Sequence, residues 1–325
     1  MKVVLSSACK QVQPLLGFQG GITDDQFYRP KDKVLFVMGA TGTGKSRLAI
    51  DLATHFPAEI INSDKMQVYK GLDIVTNKVT PRECRGVPHH LLGVVDPEYD
   101  FAANDFRQHT WRAIESILGR DRLPIIAGGS NSFIDALVND DPEFRSRHDC
   151  CFLWVDVSLP VLHSFVSERV DRMVEAGLVA EVRDFYVPGA NNMRGLRRAI
   201  GVSELDEYLR AESTADEQTK ARLLEEAIGN IKENTCTLAC RQLQKIHRLH
   251  EKWNWNMHQI DASEVFLRRG KEEAEEIWER QVLGPSAMIV ERFLFDEEEE
   301  GAEAATANII VPAVPLAAAV AAVTH

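Results

Sequence analysis

The feature that most constrains this sequence is an uninterrupted phosphate-loop motif at residues 39–46, Gly-Ala-Thr-Gly-Thr-Gly-Lys-Ser, which fits G-x-x-x-x-G-K-[ST] without a mismatch. A continuous apolar run at residues 34–38 precedes the motif, and apolar residues at helical spacing follow it over residues 45–55. A buried strand, a glycine loop and a helix in this order are the setting that the motif requires. The sequence therefore predicts a phosphate-binding loop on an α/β fold.

Each residue type in this loop has a chemical reason. Glycines let backbone N–H groups converge on phosphate oxygens, and the helix N-terminus adds a partial positive charge. Lys45 would neutralise phosphate charge, and the hydroxyl of Ser46 would ligate Mg²⁺. The residues predicted to bind phosphate are Gly39, Ala40, Thr41, Gly42, Thr43, Gly44, Lys45 and Ser46.

The hydrophobic pattern predicts how the rest of the chain is organised. Short apolar runs at 59–62, 123–127 and 152–156 indicate further strands, and a helical period at 103–118 lies between them, as in a parallel sheet with helices on both faces. From residue 159 onward the pattern is helical almost throughout. We expect a P-loop NTPase-like α/β fold, divided into an N-terminal extension (1–32), the P-loop core (33–158), a mainly helical portion (159–285) and an acidic, Ala/Val-rich tail (286–325).

The motif alone does not say which phosphate compound is bound. An ATPase or GTPase would usually add a strand that ends in a carboxylate, and a GTPase would add a base-reading NKxD motif. Here the strand at 123–127 ends in two glycines, and residues 77–80 lack the aspartate. Asp64 follows the strand at 59–62, at the edge where the phosphate lies, and suits a general base, a Mg²⁺ ligand or a turn cap. Asp156 is a second candidate for a Mg²⁺ carboxylate.

Six motifs in order make the chain resemble the isopentenyltransferases that prenylate the N6 amine of adenine, in free nucleotides or in tRNA. The resemblance runs from about residue 33 to residue 255. It implies that the phosphate loop holds the diphosphate of dimethylallyl diphosphate with Mg²⁺, and that Asp64 accepts a proton from the adenine amine. The motifs lie at residues 39–46, 59–69, 128–133, 176–183, 197–201 and 234–242.

The same resemblance implies roles for further side chains. Arg198 and Arg241 are candidates to grip diphosphate oxygens beside Lys45, with Arg197 as the adjacent rival of Arg198. Ser130 would donate a hydrogen bond to the diphosphate. Asp64, Lys45 and Arg198 are therefore the predicted catalytic residues.

Charge and composition bear on the acceptor. The formal net charge of −12 opposes a broad surface for tRNA or DNA, and the sequence shows no C₂H₂ zinc finger of the kind that eukaryotic tRNA-modifying relatives often carry. We therefore expect AMP, ADP or ATP as acceptor, as in the plant adenylate isopentenyltransferases that form cytokinins, with no nucleic-acid or membrane partner. A tRNA dimethylallyltransferase is the alternative, and a P-loop small-molecule kinase or a nucleotide-binding switch protein comes after it.

The N-terminal segment bears on the compartment. The first 22 residues contain lysines and serines and no acidic residue, which resembles a plastid transit peptide but lacks the usual arginines. We expect a plastid address or, without one, the cytoplasm.

Overall fold

A computed structural model describes residues 31–253 and 255–307, with side chains described as far as residue 295. The predicted strand, loop and helix are present: β1 (Asp32–Met38) leads through the phosphate loop into α1 (Lys45–His55). Residues 34–38 of β1 are fully buried, because elements pack on both faces of this strand. The loop is therefore anchored on the centre of the fold.

The described strands form one sheet in which every pairing is parallel, with the order β3-β2-β4-β1-β5-β6. In a parallel sheet the carboxyl ends of the strands lie on one edge, so the loops that follow β1, β2 and β4 are neighbours. The fold-class prediction is confirmed. The remaining strands are β2 (Ala58–Asn62), β3 (His89–His90), β4 (Leu123–Ala127), β5 (His148–Asp156) and β6 (Met257–Asp261).

Helices cover both faces of the sheet and make up most of the second half of the chain. The longest, α8, contributes side chains to both the core and the phosphate loop. The bounds are α2 (Ala103–Leu118), α3 (Asn131–Val138), α4 (Pro142–Arg147), α5 (Leu159–Glu175), α6 (Leu178–Phe185), a 3₁₀ turn (Gly195–Arg198), α7 (Asp206–Ala211), α8 (Glu217–Trp253), α9 (Ser263–Leu267), α10 (Glu273–Trp278), a π-helical turn (Glu279–Leu283) and α11 (Gly284–Ala307).

The core has two layers, one on each face of the sheet. Alternate side chains of β1 enter opposite layers: Phe36 and Met38 lie in one apolar cluster, while Leu35 and Val37 lie in the other. This is the two-residue period of a strand that is buried on both faces. Because both layers hold β1, the start of the loop after it is fixed at the centre of the fold.

Three features of the fold differ from the sequence interpretation or extend it. The helical pattern after residue 159 gave no indication of β6. This is an edge strand in which only Ile260 is buried, so its sequence carries almost no apolar signal. β3 has just two residues and also went unpredicted. Helix α11 crosses the boundary placed at residue 286. The transit-like segment within residues 1–30, and the end of the tail at 308–325, lie outside the described residues.

One further property of the helices concerns membranes. Within residues 31–253 and 255–307, no helix combines the length and the apolar character needed to cross a bilayer.

Candidate active site

A cavity of about 1070 Å³ opens at the carboxyl edge of the sheet, where the phosphate loop lies. Its wall comes from the phosphate loop and α1, the ends of β2 and β4, the loop at residues 77–85, the α5 helix, and the segment at residues 265–278. Gln242 of α8 closes one side. The site is therefore built from both halves of the chain.

Some of the predicted phosphate-loop residues line the cavity, and the others are buried behind them and support the loop. The lining consists of Thr41, Gly42, Gly44, Lys45 and Ser46, while Gly39, Ala40 and Thr43 are buried beneath them. Gly39 has φ +150°, and a Cβ there would lie 2.4 Å from the carbonyl oxygen of Val155, so the loop cannot carry a side chain at this position. The Thr43 hydroxyl donates to the Ala40 carbonyl at 3.0 Å, which holds the loop closed from below.

Lys45 points its ammonium group into the loop, where Nζ donates to the Ala40 carbonyl at 2.5 Å. The pKa of Lys45 is lowered to about 8, chiefly by burial and also by the nearby Arg169, while Asp64 acts in the opposite direction. A buried cation with so little compensating charge favours an anionic ligand. The position of Lys45 fits its predicted contact with phosphate.

Asp64 lies directly after β2 and lines the same cavity. Its Oδ1 accepts the backbone N–H groups of Met66 at 2.8 Å and Gln67 at 3.3 Å, which is the turn-capping arrangement that the sequence left open. Its Oδ2 accepts no hydrogen bond from any part of the chain that the structure describes. The carboxylate is thus held in place by one oxygen and available to a ligand through the other.

Two arginines of α5 line the cavity, and sequence reasoning missed both. Arg169 donates through Nη2 to the Thr41 hydroxyl at 3.1 Å, while its Nε is buried without a partner. Burial lowers the pKa of Arg169 to about 10, with Arg172 adding to the effect and Asp64 opposing it. Their spacing of three residues, which puts both on one helix face, was the available signal.

Within the described residues, no carboxylate forms a salt bridge with either arginine. Arg172 instead lies 5.3 Å from the centre of the Phe165 ring. Together with Lys45, these side chains give the cavity an excess of positive charge, of the kind that a diphosphate would neutralise.

Arg198 and Arg197 lie apart from the phosphate loop. The guanidinium of Arg198 donates to the Gly195 carbonyl at 3.2 Å and to the Tyr69 hydroxyl at 3.4 Å, and it does not line the cavity. Burial lowers the pKa of Lys65, and the positive charge of Arg198 lowers it further. Its rival Arg197 forms a salt bridge with Glu98 at 2.8 Å.

Arg241 and Ser130 also lie outside the cavity wall. Arg241 is exposed on α8, and the Ser130 hydroxyl accepts the backbone N–H of Lys65 at 2.9 Å. Their contacts with a diphosphate stay predictions. The neighbour of Arg241, Gln242, does reach the loop: its Oε1 accepts the N–H of Thr41 at 2.7 Å.

The oxygen donors of the cavity suit Mg²⁺, which prefers oxygen ligands, keeps several waters and binds through one or two protein groups plus substrate phosphates. The exposed hydroxyl of Ser46 and the Oδ2 atom of Asp64 both belong to the cavity. Asp156 is not in the wall, and its Oδ2 accepts Nε2 of Gln259 at 2.9 Å. Among the described residues, no group of three or more His, Cys, Asp and Glu side chains forms a metal cage. The oxygen donors present fit a substrate-bridged Mg²⁺.

The sequence model of the IPP transferase family matches residues 67–149 and 140–248. Among curated proteins, the chain is 63% identical to adenylate isopentenyltransferase 5, chloroplastic, of Arabidopsis thaliana, over 100% of both chains. It is 59% identical to adenylate isopentenyltransferase 7, mitochondrial, of the same plant, over 90% of both chains. It is 34% identical to tRNA dimethylallyltransferase 2 of Arabidopsis thaliana, over 87% of this chain and 84% of that protein.

A solved structure shows the same fold. A eukaryotic dimethylallyltransferase acting on tRNA matches with a TM-score of 0.68 at 24% identity, over 82% of this chain and 80% of that chain. The family match covers more than half of the chain, and the curated relatives extend the similarity across its whole length. The phosphate loop, the Asp64 carboxylate and these similarities lead to one conclusion: the chain belongs to the IPP transferase family.

Proposed function

We propose that this protein transfers a dimethylallyl (isopentenyl) group from dimethylallyl diphosphate to the N6 amine of a free adenine nucleotide, AMP, ADP or ATP, and releases diphosphate. This reaction is the first step of cytokinin biosynthesis. The observation that carries the proposal is that one cavity is lined by both the phosphate loop and Asp64, a carboxylate with one available oxygen. The names of the relatives at 63% and 59% identity support the reaction class.

The donor end of the site would be the phosphate loop with Lys45, Arg169 and Arg172. Negative charge grows on the diphosphate as the bond to the prenyl carbon breaks, and fixed cations in a buried site stabilise that charge without having to reorganise. Ser46 would hold Mg²⁺, which supplies further positive charge to the diphosphate when bound.

Asp64 would act on the acceptor. The N6 amine of adenine is a weak nucleophile, because its lone pair is delocalised into the ring, so proton removal must accompany attack on the prenyl carbon. The Oδ2 atom of Asp64 would accept this proton, while the two backbone N–H groups bonded to Oδ1 keep the carboxylate in one orientation.

Lys65 and Arg198 would receive the acceptor's phosphates. They are close enough for the charge of Arg198 to lower the pKa of Lys65, and no carboxylate forms a salt bridge with either of them in the described chain. Lys65 follows Asp64 directly, so a nucleotide phosphate between these two cations would keep the adenine near the base. In this arrangement Arg198 would bind the acceptor nucleotide rather than the diphosphate of the prenyl donor. The net charge of −12 also favours a small acceptor over tRNA.

We also propose a plastid address. The acid-free N-terminal composition and the word "chloroplastic" in the name of the relative at 63% identity support it. Import of the full chain, fused to a fluorescent protein, into isolated chloroplasts would test it, with a mitochondrial preparation as the comparison.

The acceptor is tested by incubating the purified protein with dimethylallyl diphosphate and Mg²⁺ and offering AMP, ADP, ATP and unmodified tRNA in parallel, with products identified by mass. Prenylated nucleotide is expected. Prenylated tRNA alone would instead support the tRNA dimethylallyltransferase alternative. Loss of ATP phosphate without prenylation would indicate a kinase.

A further inference from the structure

Part of the cavity wall lies beyond the matched family region, which ends at residue 248. Phe266 of α9, Arg269 and Gly270 between α9 and α10, and Glu275 and Trp278 of α10 all line the cavity. This C-terminal wall packs against α1, the helix that begins at the phosphate loop. A segment late in the chain therefore borders the predicted diphosphate site.

Trp278 makes the closest contact between this wall and the loop. Its side chain is 1% exposed, and a Cβ built on Gly44 would lie 3.0 Å from two atoms of its six-membered ring. Gly44 has φ +93° and is the last glycine before Lys45. The guanidinium of Arg47 stacks 4.2 Å from the centre of the indole. The ring thus lies against Gly44, just before α1, and against Arg47 in the first turn of α1.

The indole also donates a hydrogen bond to α1. Nε1 of Trp278 lies 2.8 Å from Oδ2 of Asp51, a carboxylate that is only 6% exposed. The other oxygen of Asp51 pairs with Arg85, in the loop at residues 77–85. Asp51 therefore joins three parts of the cavity wall: α1, the C-terminal wall and this loop.

We infer that Trp278 is a positioning residue for the diphosphate. It touches no reacting atom, but it fixes Gly44 and Asp51, and so sets where the first N–H groups of α1 and the ammonium of Lys45 point. A phosphate site made of converging N–H groups depends on their relative placement, so a small rotation of α1 weakens several bonds together. The inference depends on the proposed function only in taking a diphosphate as the ligand.

The chain contains a matched control. Trp111 on α2 donates from Nε1 to Oδ2 of Asp141 at 2.9 Å, and the guanidinium of Arg147 lies 5.0 Å from its ring. The contacts resemble those of Trp278 with Asp51 and Arg47, but Trp111, Asp141 and Arg147 do not line the cavity. Trp111→Phe therefore measures what the loss of such a hydrogen bond does to the fold alone.

The test uses the full-length protein, with inorganic diphosphate and Mg²⁺ as the probe and titration calorimetry as the readout. Trp278→Phe keeps a ring against Gly44 and removes the N–H that Asp51 accepts. Both Phe variants should unfold at lower urea concentration than the parent protein. Only Trp278→Phe should also weaken diphosphate binding, by about tenfold, because a hydrogen bond to a buried carboxylate is lost within the site.

If Trp278→Phe does not fold, Asp51→Asn replaces it, since the amide keeps the shape of the carboxylate but weakens the bond from Trp278 and the pair with Arg85. The same weakening of diphosphate binding is expected. Binding within twofold of the parent protein in the folded variant, or equal weakening in Trp111→Phe, would overturn the inference. Because the probe is inorganic diphosphate, a failure of prenyl transfer would leave this result interpretable.

Discussion

Arg169 donates a hydrogen bond of 3.1 Å from Nη2 to the hydroxyl of Thr41, joining the α5 helix to the phosphate loop across 128 positions of sequence. The N–H of the same threonine is held by Gln242 of α8 at 2.7 Å. Two helices from the second half of the chain therefore shape a loop that its own glycines would leave adaptable. The diphosphate site is a product of the whole fold rather than of the motif alone.

Replacing Arg169 should impair the transfer step. Arg169→Met should lower kcat by about 10²–10³, because it removes a fixed donor from the developing charge of the leaving diphosphate. Arg169→Lys should recover part of this loss, since it restores the charge but not the fork of N–H donors. Steady-state kinetics with both substrates measures the effect, and Arg222→Met, an exposed residue of α8 that pairs with Glu226, is the control.

Arg241→Met provides the contrast with the motif-based assignment. Its exposed position outside the cavity predicts a smaller effect than that of Arg169→Met. A larger loss of kcat in Arg241→Met than in Arg169→Met would instead support the predicted contact between Arg241 and the diphosphate.

Replacing Asp64 should separate chemistry from folding. Asp64→Asn keeps an Oδ1 that accepts the N–H groups of Met66 and Gln67, so the urea midpoint should change little. Without a base for the N6 proton, kcat should fall by about 10²–10⁴ while the KM of dimethylallyl diphosphate stays near its parent value. Near-normal turnover in this variant would remove Asp64 from the role of base.

Deprotonation of Lys45 should reduce activity at alkaline pH. Because its pKa in the free protein is about 8, the ammonium loses its proton as the pH rises from 8, and kcat/KM for the prenyl donor should fall by up to tenfold per pH unit. The Lys45→Met variant should be slower and lack this decline. A kcat/KM that stays constant between pH 7 and about 9 would contradict the assignment of the alkaline decline to Lys45.

The same lysine should affect stability in the opposite direction. The pKa of Lys45 is lower in the folded chain than its ordinary value of 10.5. Between pH values of about 8 and 10.5, the unfolded chain therefore binds more protons at Lys45 than the folded chain does. Because of this difference, the contribution of Lys45 to the free energy of unfolding should rise with pH. Urea unfolding of the parent protein and of Lys45→Met across this range would isolate the contribution of Lys45.

Gln242 should matter through the loop that it holds. Gln242→Leu removes the acceptor of the Thr41 N–H and the donor to the Gly129 carbonyl, at 2.7 and 2.9 Å. The KM of the prenyl donor should rise about tenfold, with less effect on the nucleotide, because unpaired backbone groups let the loop shift. Gln244→Leu, at an exposed position on the same helix, should leave both KM values unchanged. Equal effects on the two substrates would argue against a role confined to the donor.

Glu59 offers a prediction about stability alone. Its carboxylate is 4% exposed and accepts hydrogen bonds from Arg120 at 3.0 and 2.8 Å, and it lies 2.7 Å from Nε2 of His90. The pKa of Glu59 is lowered chiefly by its hydrogen bonds from Arg120 and also by the one from His90. The stability that ionised Glu59 gives to the fold is thus fully present at pH values above its ordinary pKa of 4.5. It is lost as the pH falls through the lowered pKa of Glu59 in the folded chain.

Glu59→Gln should therefore lower the free energy of unfolding by about 1–2 kcal/mol at neutral pH, a modest loss because Arg120 is partly exposed to water. The difference between the two proteins should shrink in acid. Activity should follow the folded fraction, since Glu59 does not line the cavity. A difference in unfolding free energy that grew toward low pH would contradict this reading.

Local patterns were sufficient to predict the centre of the fold. β1, the phosphate loop and α1 follow from a continuous apolar run, an eight-residue motif and a helical period, and each of these is complete within a few positions. Asp64 could be placed at the ligand edge because all parallel strands end there. Such signals need no knowledge of distant contacts.

The missed parts depend on tertiary structure. β6 carries one buried residue, and its place beside β5 is decided by pairing rather than by its own pattern. Arg169, Arg172 and Gln242 looked like ordinary polar residues of long helices. Only the packing of α5 and α8 against the phosphate loop gives them a function.

The central claim is that one cavity couples release of diphosphate to prenylation of adenine through Asp64. The most direct measurement incubates the purified protein with dimethylallyl diphosphate, ADP and Mg²⁺, and quantifies released diphosphate and N6-prenylated nucleotide in the same samples. The account predicts equal amounts of the two products, and a parallel loss of both in Asp64→Asn. Diphosphate released without prenylated nucleotide, or prenylated nucleotide formed at the parent rate by Asp64→Asn, would contradict it.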